Sequence, residues 1–162
     1  MSDSTPISIP IYADRVTGEN FSDATTMVNA YLRRFAQKFP HEGDGGHEVA
    51  SVLDASGYAH VQRGKVTVGI NVLERQGVLM IFAPIMEVPS RGRESFYRRI
   101  LELSFIRTSD AAFAIDGARS EVVVRSLRRL SALDYEEFED LVTTVGDVAD
   151  TWHDTLIREY PP

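Results

Sequence analysis

The sequence predicts a single α+β domain in the order helix, antiparallel strands, helix, hairpin, helix. Three observations support this class. Apolar residues recur at helical spacing in three separate segments, they alternate with polar residues after the first helix, and glycine-containing turns interrupt the alternating runs. Strands joined by tight turns pair antiparallel, and the helices then cover one face of the sheet or its ends.

Residues 1–20 are expected to form a leader or arm, and the domain itself is predicted to span residues 21–160. Ile7, Ile9 and Ile11 alternate with serine and proline, as in a short edge strand or an arm that docks on a partner chain. No signal segment is recognisable, and the longest apolar run is far too short to cross a bilayer. A cytoplasmic protein without membrane contact is therefore expected.

The first helix is predicted from about Asp23 to Lys38, because an apolar stripe recurs there every three to four residues. Ser22 or Asp23 can cap its start by accepting a backbone N–H, and Pro40 restricts the residue before it and ends the helix. Four residues form the stripe: Val28, Tyr31, Leu32 and Phe35.

Four strands are expected next, at about residues 49–54, 58–62, 66–72 and 78–82. The third is the clearest, since valine and isoleucine alternate with polar residues along it. The fourth is apolar throughout, which is typical of a central strand that is covered on both faces. The polar, glycine-rich segment from His41 to Glu48 is predicted to be a loop.

A second helix is predicted after Pro89, with Ser90 as its cap and an apolar stripe made by Phe96, Tyr97, Ile100, Leu101 and Phe105. A hairpin of residues 112–116 and 121–130 follows, turning around Asp116 and Gly117.

The last helix is predicted to be capped by Asp134, with Glu137 three residues further on, as in a capping box. Its apolar stripe continues over several turns, through Phe138, Leu141, Val142, Val145, Val148, Ala149, Trp152 and Leu156.

Charge and composition exclude several classes of protein. The 162 residues carry a net charge of −7 and include no cysteine. A disulfide scaffold, a thiol nucleophile and a cysteine-ligated metal are thereby excluded, and a binder of nucleic acid would need a basic surface. Residues 134–158 carry eight acids and one arginine, while arginines cluster on the second helix. These segments are either solvated faces or surfaces that meet, within the chain or across a dimer.

Two groups of side chains have metal-ligand chemistry without a recognised spacing. His41, Asp44, His47 and Glu48 offer imidazole and carboxylate ligands suited to zinc or manganese. Asp150, His153 and Asp154 lie within one helical turn, where a surface histidine with acidic neighbours is the simpler interpretation. No serine lies in a nucleophile elbow and the glycine-rich loop lacks a phosphate-binding ending. The sequence predicts no enzyme, no cofactor and no resident metal.

The order of elements resembles the class I type III secretion chaperones and the related YbjN-type domains. The resemblance is carried by GVLMIFAPIMEVP from Gly77, by ESFYRRILELSF from Glu94 and by the Leu133-Asp134-Tyr-Glu-Glu-Phe138 start of the last helix. The hairpin of Phe113–Asp116 with Val122–Val124 also matches. The resemblance covers about residues 21–156.

This resemblance implies a small bacterial homodimer that has no enzymatic activity and binds an extended segment of a partner protein. The alternatives are a YbjN-type regulatory domain that acts through oligomerisation and a metal-dependent enzyme built on the His41–Glu48 loop. The predicted dimer contact comprises Phe96, Tyr97 and Ile100. The predicted peptide-binding patch comprises Val28, Tyr31, Leu32 and Phe35 of the first helix with Val66, Val68, Ile70 and Val72 of one strand.

Overall fold

The computed structural model describes residues 12–40 and 52–162. The strands are β1 (Tyr12–Ala13), β2 (Asn20–Phe21), β3 (Tyr58–Arg63), β4 (Val66–Leu73), β5 (Val78–Glu87), β6 (Ala112–Asp116) and β7 (Glu121–Arg129). The helices are α1 (Ala24–Lys38), α2 (Arg93–Ile106) and α3 (Tyr135–Glu159). The predicted alternation of Ile7, Ile9 and Ile11 lies outside the described residues.

The main sheet has five strands in the order β3-β4-β5-β7-β6, and every neighbouring pair is antiparallel. Strands β1 and β2 form a separate small hairpin. The predicted α+β class and the order of its elements are confirmed. No helix among the described residues is both long enough and apolar enough to span a membrane.

Helix α3 packs on one face of the sheet, chiefly against β5, β4 and β7. Its N-cap is Asp134, whose carboxylate accepts a hydrogen bond from the Glu137 backbone N–H at 2.9 Å, as predicted. Gly146 allows the helix to approach closely, since a Cβ there would lie 3.0 Å from the Cβ of Arg63. The apolar stripe of α3 and the inner side chains of the strands form the core.

Helix α1 packs on α3 through its apolar stripe. Asp23 caps the helix by accepting a hydrogen bond from the Thr26 backbone N–H at 2.7 Å. Tyr31 and Phe35 lie against Phe138 of α3, with ring centroids 5.8 and 6.3 Å from it. The stripe that predicted the helix is therefore the surface by which it joins the core.

The β1–β2 hairpin is fixed to the start of α3 by one buried carboxylate. Asp14 is 1% exposed and accepts hydrogen bonds from the backbone N–H groups of Val16, Thr17 and Tyr135 at 2.9, 2.9 and 3.0 Å. Burial alone would raise the pKa of Asp14, but these N–H groups outweigh it and hold the pKa below its ordinary value. The carboxylate therefore stays ionised at neutral pH beside the helix N-terminus.

Three details of the predicted elements are wrong. Of the strand expected at residues 49–54, the described residues 52–54 are not in a strand. Asp54 instead begins a turn, in which its carboxylate accepts hydrogen bonds from the Ser56 and Tyr58 backbone N–H groups. The residue before helix α2 is Gly92, whose backbone is in the left-handed region. Ser90 therefore does not cap the helix, and no side chain does. Strand β5 is buried on alternate residues only, so one face of it stays uncovered.

The acidic last helix is paired with bases from several elements. Arg128 of β7 bonds Glu137, and Arg63 lies 3.6 Å from Asp147. Arg99 of α2 reaches Glu159 at the end of α3, at 3.1 Å. The basic second helix and the last helix thus meet within the chain at this ion pair.

Candidate partner-binding surfaces

The two faces of the main sheet differ in what covers them. Side chains alternate across a strand, so β5 directs Leu79 and Ile81 into the core and Met80 and Phe82 to the opposite face. None of the helices in residues 12–40 and 52–162 packs over that opposite face, which we call the open face. It contains a groove of about 640 Å³ that β3, β4, β5, β6 and β7 line together.

Aromatic rings form the base of this groove. Gly69 makes their arrangement possible, because a Cβ at this position would lie 2.6 Å from Cζ of Phe82 and 3.1 Å from Cε2 of Tyr58. The Phe82 ring therefore lies directly on the backbone of β4, with the Tyr58 ring 6.3 Å away. Met80, Pro84 and Val123 extend this apolar surface.

Polar and charged side chains surround the apolar base of the groove. Thr67 and Asn71 project from β4, and Arg125 projects from β7 directly across from Phe82. Asp116 and Glu121 lie opposite each other at the far end of the hairpin. An apolar base with a few polar groups around it is the usual character of a recognition surface.

Helix α2 presents a second apolar surface. Leu101, Phe105 and Ile106 are 68%, 86% and 70% exposed, and we call these three residues the α2 stripe. A shallow depression formed by these residues with Arg98 and Glu102 lies along it. An exposed apolar patch of this kind marks an interaction surface more often than a chance exposure.

All eight residues of the predicted peptide-binding patch lie in the core. Val28, Tyr31, Leu32 and Phe35 pack between α1 and α3, while Val66, Val68, Ile70 and Val72 lie on the inner face of the sheet. Their side chains therefore offer no surface to a peptide in this monomer. Strand β4 still lines the groove, through the alternate residues Thr67, Gly69 and Asn71.

The residues predicted for the dimer contact lie on the inner side of α2. Phe96 and Ile100 are buried, and Tyr97 is half-buried with its ring 6.0 Å from that of Phe96. Leu103 continues the inner line at helical spacing, so Phe96, Ile100 and Leu103 anchor the helix. The exposed residues belong to the other side of the same helix.

Neither group of candidate metal ligands forms a described site. His41, Asp44, His47 and Glu48 lie outside the described residues. His153 Nδ1 lies 2.8 Å from Asp154 Oδ1 on the surface, and the pKa of Asp154 is lowered by this hydrogen bond and by Lys65. Within residues 12–40 and 52–162, no three histidine or carboxylate side chains are grouped closely enough to hold a metal ion.

The sequence pattern did not indicate that Phe82, Met80 and Arg125 line a groove. The run around Phe82 is apolar on both faces and was expected to be covered on both. The neighbouring strand β4 carries a sequence signal for an uncovered face. Its polar residues Thr67 and Asn71 lie on the same face of the sheet as Phe82. A polar neighbour on each side of a glycine indicates a face that is not in the core.

Comparison with known proteins supports the fold and places the chain in a family. The sequence profile of the Tir chaperone protein (CesT) family matches residues 49–153. The chain therefore belongs to this family, and its resemblance to type III secretion chaperones is confirmed. No individually curated protein sequence matches the chain significantly.

Several solved structures with a similar fold are complexes. A chain in the crystal structure of the ExsC–ExsE complex has a TM-score of 0.63 at 22% sequence identity, covering 83% of this chain and 96% of that one. A chain of the HopA1–SchA chaperone–effector complex gives 0.57 at 9% identity, covering 79% and 97%. A chain of the heterodimeric ExoU–SpcU complex, from the type III secretion system of Pseudomonas aeruginosa, gives 0.54 at 17% identity, covering 84% and 99%.

Proposed function

We propose that this chain is a cytoplasmic, non-enzymatic chaperone that binds an extended segment of a partner protein in the groove of the open face. The uncovered groove is the single observation that carries this proposal. Membership of the CesT family supports it, as does the likeness to chains of chaperone–effector complexes.

The geometry favours an extended segment over a folded surface as the occupant. The groove is concave and runs across all five strands of the sheet. Strands β3 and β6 lie at the two edges of the main sheet, where each has one side without a described strand neighbour. An extended peptide can hydrogen-bond to such an edge and place alternate side chains against the neighbouring apolar surface. The ring of Phe82 is part of that apolar surface.

We further propose that two copies of the chain associate through the α2 stripe. A homodimer commonly has twofold symmetry, in which the same patch meets itself. Leu101 and Phe105 are one helical turn apart, and Arg98 and Glu102 lie beside them with opposite charges. Arg98 and Glu102 already pair with each other at 2.8 Å. Two such helices packed antiparallel bury the apolar residues, with these ion pairs beside the contact.

Replacing Phe82 with aspartate is expected to weaken partner binding about tenfold while the chain stays folded. Phe82 is half-buried on the open face, so the carboxylate remains solvated but removes the apolar base of the groove. The measurement is affinity purification from cells of the source organism with quantitative mass spectrometry. Wild type should retain one partner stoichiometrically, and Phe82→Asp should lose at least nine-tenths of it, about a tenfold weakening.

The matched control is Thr151→Asp, which adds the same charge on the exposed side of α3. Thermal unfolding followed by circular dichroism verifies that both variants fold. Retention of the partner by Phe82→Asp, or its equal loss from both variants, would contradict binding in the groove.

A further inference from the structure

Two arginines line the groove, Arg119 at its exposed end and Arg125, which is half-buried. The charge of the half-buried Arg125 has no counterpart in the part of the chain that the structure describes. It lies in the middle of β7, directly across from Phe82 on one side and from Ala112 on the other. Its side chain is half-buried and lines the groove. The neighbouring groove surface is formed mainly by apolar groups of Phe82, Val123 and Ala114.

No carboxylate among residues 12–40 and 52–162 is within ion-pair distance of Arg125. The nearest acid along its own strand and face is Glu121, four residues away, or about 13 Å at strand spacing. Arg128, three residues further along β7 but on the inner face, has two carboxylate partners, Asp110 at 2.7 Å and Glu137. Strand β7 thus pairs its inner arginine, Arg128, with carboxylates, while Arg125 has no ion pair among the described residues.

An unpaired guanidinium beside apolar surface becomes costly once a bound segment removes its water. A carboxylate on that segment compensates for this cost, and a guanidinium can bind it through two parallel hydrogen bonds. The attraction is also stronger in the partly dehydrated groove than on an open surface. A neutral or basic residue at the same place would leave the charge unpaired.

From this placement we propose that Arg125 selects the partner by binding an acidic side chain. The bound segment carries an aspartate or glutamate that contacts Arg125, and within two residues of it an apolar side chain that packs on Phe82. The proposal rests on the proposed function, since it assumes that a partner segment occupies the groove. The two contacts lie on neighbouring strands, about 5 Å apart across the sheet, which is within the reach of residues close together in an extended peptide.

The test uses random 12-residue peptides displayed on phage, selected on the immobilised full chain. Groove binders are those whose binding is lost on Phe82→Asp. Among them, an acidic residue next to an apolar one should be enriched. Synthetic copies of the best binders are then titrated by fluorescence anisotropy against wild type, Arg125→Glu and the matched charge reversal Arg91→Glu, which lies outside the groove on an exposed loop.

Arg125→Glu should weaken binding on the order of tenfold, and Arg91→Glu should leave it unchanged. A peptide with lysine in place of its acid should regain affinity for Arg125→Glu. Groove binders that show no acidic enrichment and equal affinity for all three proteins would overturn the inference and leave the proposed function standing. If no selected peptide depends on Phe82, both fail. If instead wild type self-associates through a contact that Phe82→Asp removes, a second copy occupies the groove and the inference is overturned.

Discussion

Phe105→Glu is expected to convert a dimer of this chain into a monomer. Phe105 is 86% exposed at the centre of the α2 stripe, between Leu101 and Ile106. In a twofold contact the substitution places two carboxylates in an apolar interface, where neither has a partner. Loss of a central aromatic anchor costs at least about 2 kcal/mol. We therefore expect the dimer dissociation constant to rise by at least about 30-fold.

Sedimentation equilibrium over a range of concentrations measures this constant directly. The matched control is Val16→Glu, because Val16 is also an exposed apolar residue, at 58%, and lies in the β1–β2 hairpin. The control should dimerise like wild type. A wild-type chain that stays monomeric at high concentration, or a Phe105→Glu variant as dimeric as wild type, would refute association through the α2 stripe.

Phe138→Ala is expected to lower the free energy of unfolding by about 3–5 kcal/mol. Phe138 is fully buried where α1 meets α3, and its ring lies 5.8 Å from that of Tyr31 and 6.4 Å from that of Tyr135. Alanine leaves a cavity that the surrounding rings of two helices cannot fill without moving. Such a loss is a large part of the stability of a domain of this size.

Urea unfolding followed by circular dichroism measures the change. Phe138→Leu serves as the matched variant, because leucine keeps most of the apolar volume, and we expect it to lose less than half as much stability. Equal losses for the two substitutions, or a loss below 1 kcal/mol for alanine, would mean that Phe138 does not join the two helices as described.

The helices α1 and α3 were predictable because local pattern and tertiary environment agree in them. Asp23 and Asp134 are good caps by chemistry alone, and each does cap its helix. The apolar stripes of both helices are buried as their spacing predicts. The β6–β7 hairpin was predictable for a similar reason, since strong alternating runs flank a turn.

The functional surfaces were not predictable, because apolar residues on a surface and in a core have the same chemistry. The second helix is apolar on two sides. At 3.6 residues per turn the spacing puts Phe96 and Phe105 on opposite sides, but it does not indicate which side is buried, and the structure buries Phe96 and exposes Phe105. The apolar run of β5 was read as covered on both faces for the same reason. Which face of β5 is buried depends on the side of the sheet on which α3 packs, and this is a tertiary contact.

The hydrogen bond between Asp14 and the start of α3 could not be predicted from the sequence for a different reason. The carboxylate and the Tyr135 backbone N–H that it accepts from are 121 residues apart in the chain. No local pattern encodes a contact of this separation, and a single aspartate before a glycine-containing turn is common.

Site-specific crosslinking in cells tests most directly which surface of the chain contacts the partner. A photoreactive benzoylphenylalanine is introduced at Thr67, an exposed residue of the groove, and in a second variant at Asp140, an exposed residue of α3. After irradiation, mass spectrometry maps each adduct to a peptide. We predict that Thr67 crosslinks to one segment of one partner protein and that Asp140 does not. Crosslinking of that partner from Asp140 but not from Thr67, or no adduct from either position, would contradict the claim that the open face binds the partner.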